Sequence, residues 1–189
     1  MVFGWAVGEA TLQPFMPDAI IVPLALAYPN AWWRLSIAAM LGSTVGGAVS
    51  YGLGKRANTS GAKTVGRLPL VRPAMVAATD RWLTTEGPRG VVRQPLTGVP
   101  FKVFARLAGA RGLPLGRFLV WALVARGPRF LLASGAAALV GRRAEPFGRR
   151  GLSGLIIAWW IVFAVGLWRT VAYWERQISR RVQSRSADE

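Results

Sequence analysis

Side chains that could share one chemical task occur in two separate stretches of this chain. Glu9 and Asp18 are carboxylates in GEATLQPFMPDAIIVPLALAYP, a stretch apolar enough for a bilayer but interrupted by four prolines. Arg93 and Lys102 are cations in RQPLTGVPFKVFARLAG, which prolines also interrupt. Arginine presents a planar fork of N–H donors that suits phosphate, lysine presents a compact charge, and an ionised carboxylate only accepts hydrogen bonds. Together the stretches predict a site that binds an anionic phosphate group beside a proton-exchanging carboxylate.

Two more cations, Arg126 and Arg129, interrupt a third apolar segment in the sequence ARGPRF. Pro128 removes a helix hydrogen bond there, which frees a carbonyl near both guanidinium groups. Charge at membrane depth is a functional-site hypothesis by default, so we expect Arg126 or Arg129 to complete the phosphate site. For both residues, pairing with Glu9 or Asp18 and snorkelling to the interface remain open.

The same charges also have a purely structural interpretation. An unpaired charge at the bilayer centre costs roughly 3 kcal/mol on insertion scales, so acids and bases on facing segments would pair in any case. The two carboxylates would then only neutralise the cations and fix how the segments pack. For Arg106 and Arg111 we expect snorkelling to the cytoplasmic interface rather than a place in the site.

Composition restricts the class of protein. The chain has 189 residues, of which 52% are hydrophobic, nine tryptophans and a formal net charge of +16. Its basic residues lie mostly between long apolar runs, as in membrane proteins rather than in soluble nucleic-acid binders. The chain has no Cys and no His, so it cannot form disulfides and has neither thiolate nucleophiles nor imidazole bases. Most kinds of zinc site are excluded for the same reason. We therefore expect an integral membrane protein that is no enzyme and has no metal, cofactor or nucleic-acid partner.

Three segments are apolar and long enough to cross a membrane as helices. They are residues 32–53, 115–141 and 151–174. Pro128 predicts a kink with buried arginine in the second segment. The loop of residues 55–89 is more polar, with one short surface helix near Met75 to Thr85, and we expect the polar tail, residues 176–189, to fray. Residues 1–175 would form a single transmembrane domain.

Two further segments, residues 1–29 and 90–113, share one design. Each is partly apolar, broken by proline, charged, and followed by a spanning helix. Broken backbone at membrane depth survives only against protein or a wet cavity, so we interpret both as re-entrant helical hairpins. Counting crossings puts the loop and the tail on one side, and their excess of Lys and Arg makes that side cytoplasmic. The hairpins then enter from opposite sides, an inverted repeat like those that hold transporter sites at midplane.

Small residues recur every fourth position along the first spanning segment, at Gly42, Gly46, Ser50 and Gly54. Spacing of this kind puts all four on one helix face. Small residues let helix backbones approach closely, so the stripe predicts a tight helix contact.

Three segments, taken in order, resemble one known family. They are GEATLQPFMPD, the small-residue helix ending GGAVSYGLGKR, and RQPLTGVPFKVFARLAGARGLPLGRF. Their order and spacing, over about Gly8 to Gly141, resemble the DedA family, also called the VTT or SNARE-associated Golgi protein superfamily. The segment ARGPRFLLASG is similar to its short YqaA-like branch.

The resemblance implies two opposed re-entrant hairpins and lipid transport. Bacterial members move undecaprenyl phosphate or phosphatidylethanolamine, some with proton coupling, and eukaryotic relatives scramble phospholipids. By position, Glu9 and Asp18 match the family's hairpin acids, and Arg93 matches the arginine that opens the second hairpin. Lys102 stands where a further hairpin arginine is expected, and the two acids lie closer together than in other members.

We therefore expect a flippase or scramblase of the bacterial inner membrane that moves a phosphate-bearing lipid between leaflets. Its partners would be lipids with phosphate head groups, and the oligomeric state, a homo-oligomer included, is left open. The expected phosphate ligands are Arg93, Lys102, Arg126 and Arg129, and the expected proton-coupling residues are Glu9 and Asp18. The alternatives are a proton- or ion-coupled carrier of a small anion and a membrane scaffold or assembly factor.

Overall fold

The computed structural model describes residues 1–12, 16–57, 65 and 71–187, and every regular element in these ranges is helical. The α-helices are α1 (Val2–Thr11), α2 (Asp18–Ala27), α3 (Trp32–Ala57), α4 (Pro73–Glu86), α5 (Gln94–Thr97), α6 (Phe101–Ala110), α7 (Leu115–Ala144) and α8 (Gly148–Ala187). Short 3-10 helices are formed by Pro29–Ala31, Gly87–Arg93 and Glu145–Phe147. The predicted all-α class is confirmed.

Helix bounds differ from the sequence predictions mainly at the ends. α3 extends to Ala57, and α7 runs to Ala144 with Pro128 inside it, so the proline does not end that helix. The tail does not fray where it is described, because α8 continues to Ala187. No glycine or proline follows Gly166, and the Arg, Glu and Gln of this segment are good helix formers.

Parts of the predicted segments lie outside the described residues. These are residues 13–15 of the first predicted hairpin, 58–64 and 66–70 of the loop, and 188–189 of the tail.

Two stretches of the described chain are long and apolar enough to cross a membrane, Pro29–Ala57 and Leu115–Thr170. The second has 56 residues and contains α7, a 3-10 turn and most of α8. The chain reverses within it at Gly148, which has a φ of 60°, and Leu152 then packs in one apolar cluster with Ala137. Both stretches agree with the predicted membrane protein.

Helix α1 lies in the small-residue stripe of α3. A Cβ atom at Gly42 would collide with the Phe3 carbonyl, and one at Gly46 would lie 2.7 Å from the Val7 carbonyl. Because contacts advance together along both chains, α1 and α3 run in the same direction. The tight contact predicted from the stripe is confirmed, and it holds the last turn of α1 against Ser50.

Helix α2 packs beside α7 and α8 instead. Its start meets Arg129 and its end meets Gly141, so α2 and α7 run in the same direction. Helices α3 and α7 run in opposite directions, because Ser36 contacts Ser134 whereas Gly47 lies near Leu119. Met16, which precedes α2, therefore lies near the middle of α7.

The chain from α4 to α6 forms a second broken segment. Gly98, with a φ of 68°, ends α5 in the left-handed conformation that favours glycine, and α6 begins after Pro100. Nine of the ten α6 residues are buried, among them Phe101, which stacks on Phe118 of α7. This packing brings the start of α6 to the end of α1, where the charged side chains meet.

Candidate functional site

The first ion pair joins α1 to α7 in the interior. Arg126 Nη2 donates to Glu9 Oε2 at 2.8 Å, and the two side chains are 7% and 5% exposed. The Arg126 guanidinium carbon lies 4.5 Å from the ring centroid of Phe101 and 5.3 Å from that of Phe130. Arg126 Nε and Nη1 have no hydrogen-bond partner among the described residues. The adjoining cavity, which Ser43 also lines, has a volume of about 10 Å³, so it has room for one water at most.

The second ion pair lies one helical turn further along α7. Arg129 Nη2 donates to Asp18 Oδ2 at 2.5 Å and also lies 3.2 Å from Met16 Sδ. Asp18 is 5% exposed, but Arg129 is 35% exposed. Asp18 is also the first residue of α2, where the helix dipole favours a negative charge. The buried Asp18 Oδ1 has no hydrogen-bond partner in the described part of the chain.

A third group of contacts satisfies the exposed carbonyls at the end of α1. The Ser50 hydroxyl donates to the Ala10 carbonyl at 2.5 Å, Arg106 Nη2 donates to the Thr11 carbonyl at 3.2 Å, and Lys102 Nζ donates to the Leu12 carbonyl at 2.9 Å. The last carbonyls of a helix lack partners within the helix and carry partial negative charge, so cations are favoured there. Lys102 and Arg106 lie four residues apart on one face of α6, which lets both reach the same helix end.

The resulting cluster has more positive than negative charge. Two carboxylates, Glu9 and Asp18, face four cations. The cations are Lys102, Arg106, Arg126 and Arg129. If all are ionised, an excess of two positive charges lies in a largely buried region. The carbonyls at the end of α1 offset part of this charge, and an anion that enters the cluster would offset more of it.

A cavity of about 410 Å³ adjoins Arg129, one of the four cations of the cluster. Arg129 and Met16 line one wall, the residues around α5 line a second, and apolar residues of α8 line a third. The α8 wall consists of Trp159, Val162, Phe163, Gly166, Leu167 and Thr170. An anion in this cavity could reach the outer side of Arg129 without breaking the pair with Asp18.

Arg93 is not brought into this cluster. Its side chain is 51% exposed and pairs with Glu86 at 2.5 Å, and the guanidinium lies over the Trp82 ring. The hydrogen bond that Arg93 donates to the Glu86 carboxylate raises the pKa of Arg93 above its ordinary value. Arg111 likewise pairs with Asp80 at 2.7 Å, and that hydrogen bond raises the pKa of Arg111.

The structure thus gathers five of the six sequence-predicted site residues, and of the two alternatives left open for Arg126 and Arg129 it shows pairing with the acids. The acids pair with Arg126 and Arg129 of α7, whereas Lys102 holds the end of α1. Arg106 was expected to snorkel, which is wrong, because it is 8% exposed and bound to a backbone carbonyl. Its spacing of four residues from Lys102 is a signal that could have placed it.

Comparison with known proteins gives one distant relative without a stated activity. The chain is 27% identical over 154 residues to a protein of Haemophilus influenzae described as an uncharacterized protein. The match covers 82% of this chain and 78% of that protein. No family model matches the chain, and no solved structure matches it.

Proposed function

We propose that this protein moves a phosphate-bearing lipid, such as undecaprenyl phosphate or a phospholipid, between the leaflets of a bacterial inner membrane. The proposal includes membership of the DedA family, which the sequence motifs resemble. The observation that carries it is the position of Arg129, between a buried cluster with excess positive charge and the cavity beside α8. A phosphate head group would be attracted to that cavity and could form paired hydrogen bonds with the guanidinium.

The open side of the cavity favours a lipid over a small soluble anion. Next to the cavity wall, α8 presents exposed apolar side chains, including Ile161, Val165 and Trp168. In a bilayer these side chains would contact acyl chains, so a head group could bind at Arg129 while its tails stay in the membrane. A small-anion carrier would instead need an aqueous path closed to lipid.

Two opposed re-entrant hairpins are part of the same proposal. Support comes from contacts between the two broken segments: Lys102, near the start of α6, binds the Leu12 carbonyl, and Met16 lines the same cavity as Pro95. Met16, just before α2, lies beside Arg129 in the middle of α7, as expected for a hairpin that dips into the membrane.

Within this proposal the two acids have different tasks. Asp18 has a partner that can turn toward an incoming phosphate, so its carboxylate would exchange the proton as the phosphate binds and leaves. Glu9 would hold Arg126, whose other nitrogens complete the positive field of the cluster. Lys102 would attract the phosphate through its positive charge without touching it, because Lys102 is fully buried against α1.

Reconstitution tests the proposal. The purified protein is placed in liposomes that contain a fluorescent phospholipid or labelled undecaprenyl phosphate, and movement between leaflets is followed with and without a pH gradient. Wild-type protein should move the lipid, Arg129→Gln should not, and Arg117→Gln, an exposed arginine on the same helix, should match wild type. Empty-liposome rates for the wild type would exclude lipid transport and favour the carrier or scaffold alternatives.

A further inference from the structure

A second cavity, of about 450 Å³, continues from the first along α8. Trp82, Arg169 and Tyr173 line this cavity but not the first one. The two cavities have Leu96, Gly98 and Thr170 in common. They therefore meet at one place, where the residues around α5 face α8.

The meeting point is narrow because Gly98 approaches α8 closely. A Cβ atom on Gly98 would lie 2.6 Å from Thr170 Cγ2, so any larger residue would overlap the threonine. The Thr170 hydroxyl donates to the Gly166 carbonyl at 2.9 Å, which holds the side chain in place. Gly98 and Thr170 thus form a neck between two wider spaces.

Each cavity has one arginine in its lining. Arg129 lines the first cavity and the exposed Arg169 lines the second. The α8 residues between Trp159 and Tyr173, which line the cavities, cover roughly 21 Å at 1.5 Å per residue. Leu96, which lines both cavities, is 90% exposed and so offers an apolar surface beside the neck. The arrangement has a cation in each cavity, an apolar wall along α8, and the contact between Gly98 and Thr170 where the cavities meet.

We propose that the two cavities form one path for the phosphate head group of a lipid, with Arg129 and Arg169 as successive binding positions and the Gly98–Thr170 neck as its gate. This inference rests on the proposed lipid transport and adds the route. The occupant is a lipid because its phosphate matches the two cations while the exposed apolar face of α8 accommodates its tails. The head group leaves Arg129, passes Thr170, and is received by Arg169.

The gate is tested by adding and removing bulk at Thr170 in one folded protein. The chain has no cysteine, so Thr170→Cys introduces a single thiol. A bulky methanethiosulfonate reagent attaches to that thiol through a disulfide, and a reductant removes it. Lipid movement in liposomes should fall about tenfold on labelling and recover on reduction. Ser153→Cys, an exposed position on the same helix, should show no change when labelled.

The second binding position is tested by charge. Arg169→Gln should lower lipid movement about tenfold, whereas Arg150→Gln, an exposed arginine earlier in α8, should match wild type. Free inorganic phosphate, added in excess, should compete little, because it lacks tails to hold it against α8.

The outcomes separate the route from the function. If labelled Thr170→Cys and Arg169→Gln both move lipid at the wild-type rate while Arg129→Gln does not, the route is overturned and lipid transport stands. If free phosphate abolishes movement, binding at the two arginines does not need lipid tails, and the argument that the α8 face selects a lipid for this route is overturned. If the wild type moves no lipid, the proposed function fails and the route fails with it.

Discussion

The pairs Glu9–Arg126 and Asp18–Arg129 consist of the same chemical groups one helical turn apart, yet their surroundings differ. The first has both side chains buried, two aromatic rings against the guanidinium, and a neighbouring cavity of about 10 Å³. The second has a partly exposed arginine beside a cavity of about 410 Å³. The difference teaches that burial, rather than residue type, decides which pair can exchange partners.

We call Glu9–Arg126 the sealed pair and Asp18–Arg129 the open pair. The sealed pair resists separation of its two charges, because nothing would replace the lost partner of either charge. An open pair can accept an anion, because water or the incoming group replaces the partner as it leaves. We therefore predict that Glu9–Arg126 contributes mainly to stability and that the proposed transport depends mainly on Asp18–Arg129. The experiments below test that division.

The largest effect is expected at the sealed pair. Glu9→Gln leaves the Arg126 charge buried and unpaired, so the free energy of unfolding should fall by about 3 to 5 kcal/mol. Thermal unfolding in detergent measures this as a lower Tm. Glu86→Gln, which removes an acid from an exposed pair, is the matched control and should leave Tm close to wild type. An unchanged Tm for Glu9→Gln would show that the Glu9–Arg126 pair does not stabilise the fold.

The next effect concerns the donors at the end of α1. Lys102→Met keeps an unbranched side chain but removes the donor to the Leu12 carbonyl, and should cost about 1 to 3 kcal/mol of stability. Lys55→Met, at an exposed lysine of α3, should have little effect on the same melting curve. Equal Tm values for the two variants would show that the α1 carbonyl does not need this donor.

At the open pair we expect loss of transport with little loss of stability. Arg129→Lys keeps the charge but removes the planar fork, so lipid movement should fall about tenfold while Tm stays near that of wild type. Liposome transport and thermal unfolding are measured on the same preparation. A large fall in Tm would mean that the open pair is as structural as the sealed one.

Asp18→Asn tests proton exchange at that pair. The amide keeps the size and much of the hydrogen bonding of the carboxylate but cannot titrate. Transport measured across a pH series should lose its pH dependence, and the protein should remain folded because Arg129 can turn toward the cavity. A pH profile parallel to that of wild type would remove Asp18 from proton coupling.

The smallest effect is expected at Arg93. The sequence predicts that Arg93 binds phosphate, but the structure pairs it with Glu86 at the surface, so Arg93→Lys should retain transport and Tm. The pKa of Arg93 is raised by Glu86, so its charge should not contribute to pH dependence near neutrality. A strong transport defect in a folded Arg93→Lys protein would return this residue to the site.

The sequence was sufficient to identify most charged members of the site, for a physical reason. A charge within an apolar segment needs a partner, so Glu9, Asp18, Arg126 and Arg129 could be expected to meet. Which acid takes which base depends on how α1 and α2 lie along α7, and that is set by tertiary packing. Periodicity predicted the α3 stripe because backbone approach needs small residues on one face.

Other features were beyond the sequence. Hydropathy cannot say whether a cation such as Arg106 turns toward water or toward a helix end, because both satisfy its charge. Arg93 finds Glu86 through the short 3-10 helix between them, a local geometry that the pattern of prolines did not reveal. The cavities exist only because α8 folds back along α7 at Gly148, so no single segment contains their signal.

The donors at the end of α1 also set an order of events during synthesis. Ser50, Lys102 and Arg106 all follow α1 in the chain, so a ribosome completes α1 long before its carbonyls can have these partners. Until then those carbonyls are satisfied only by water, which keeps the N-terminal segment out of the bilayer core. Helix α1 should therefore insert late, after α6 has left the ribosome. A nascent chain stopped before Lys102 should leave its N-terminus open to added protease, whereas one stopped after α7 should protect it.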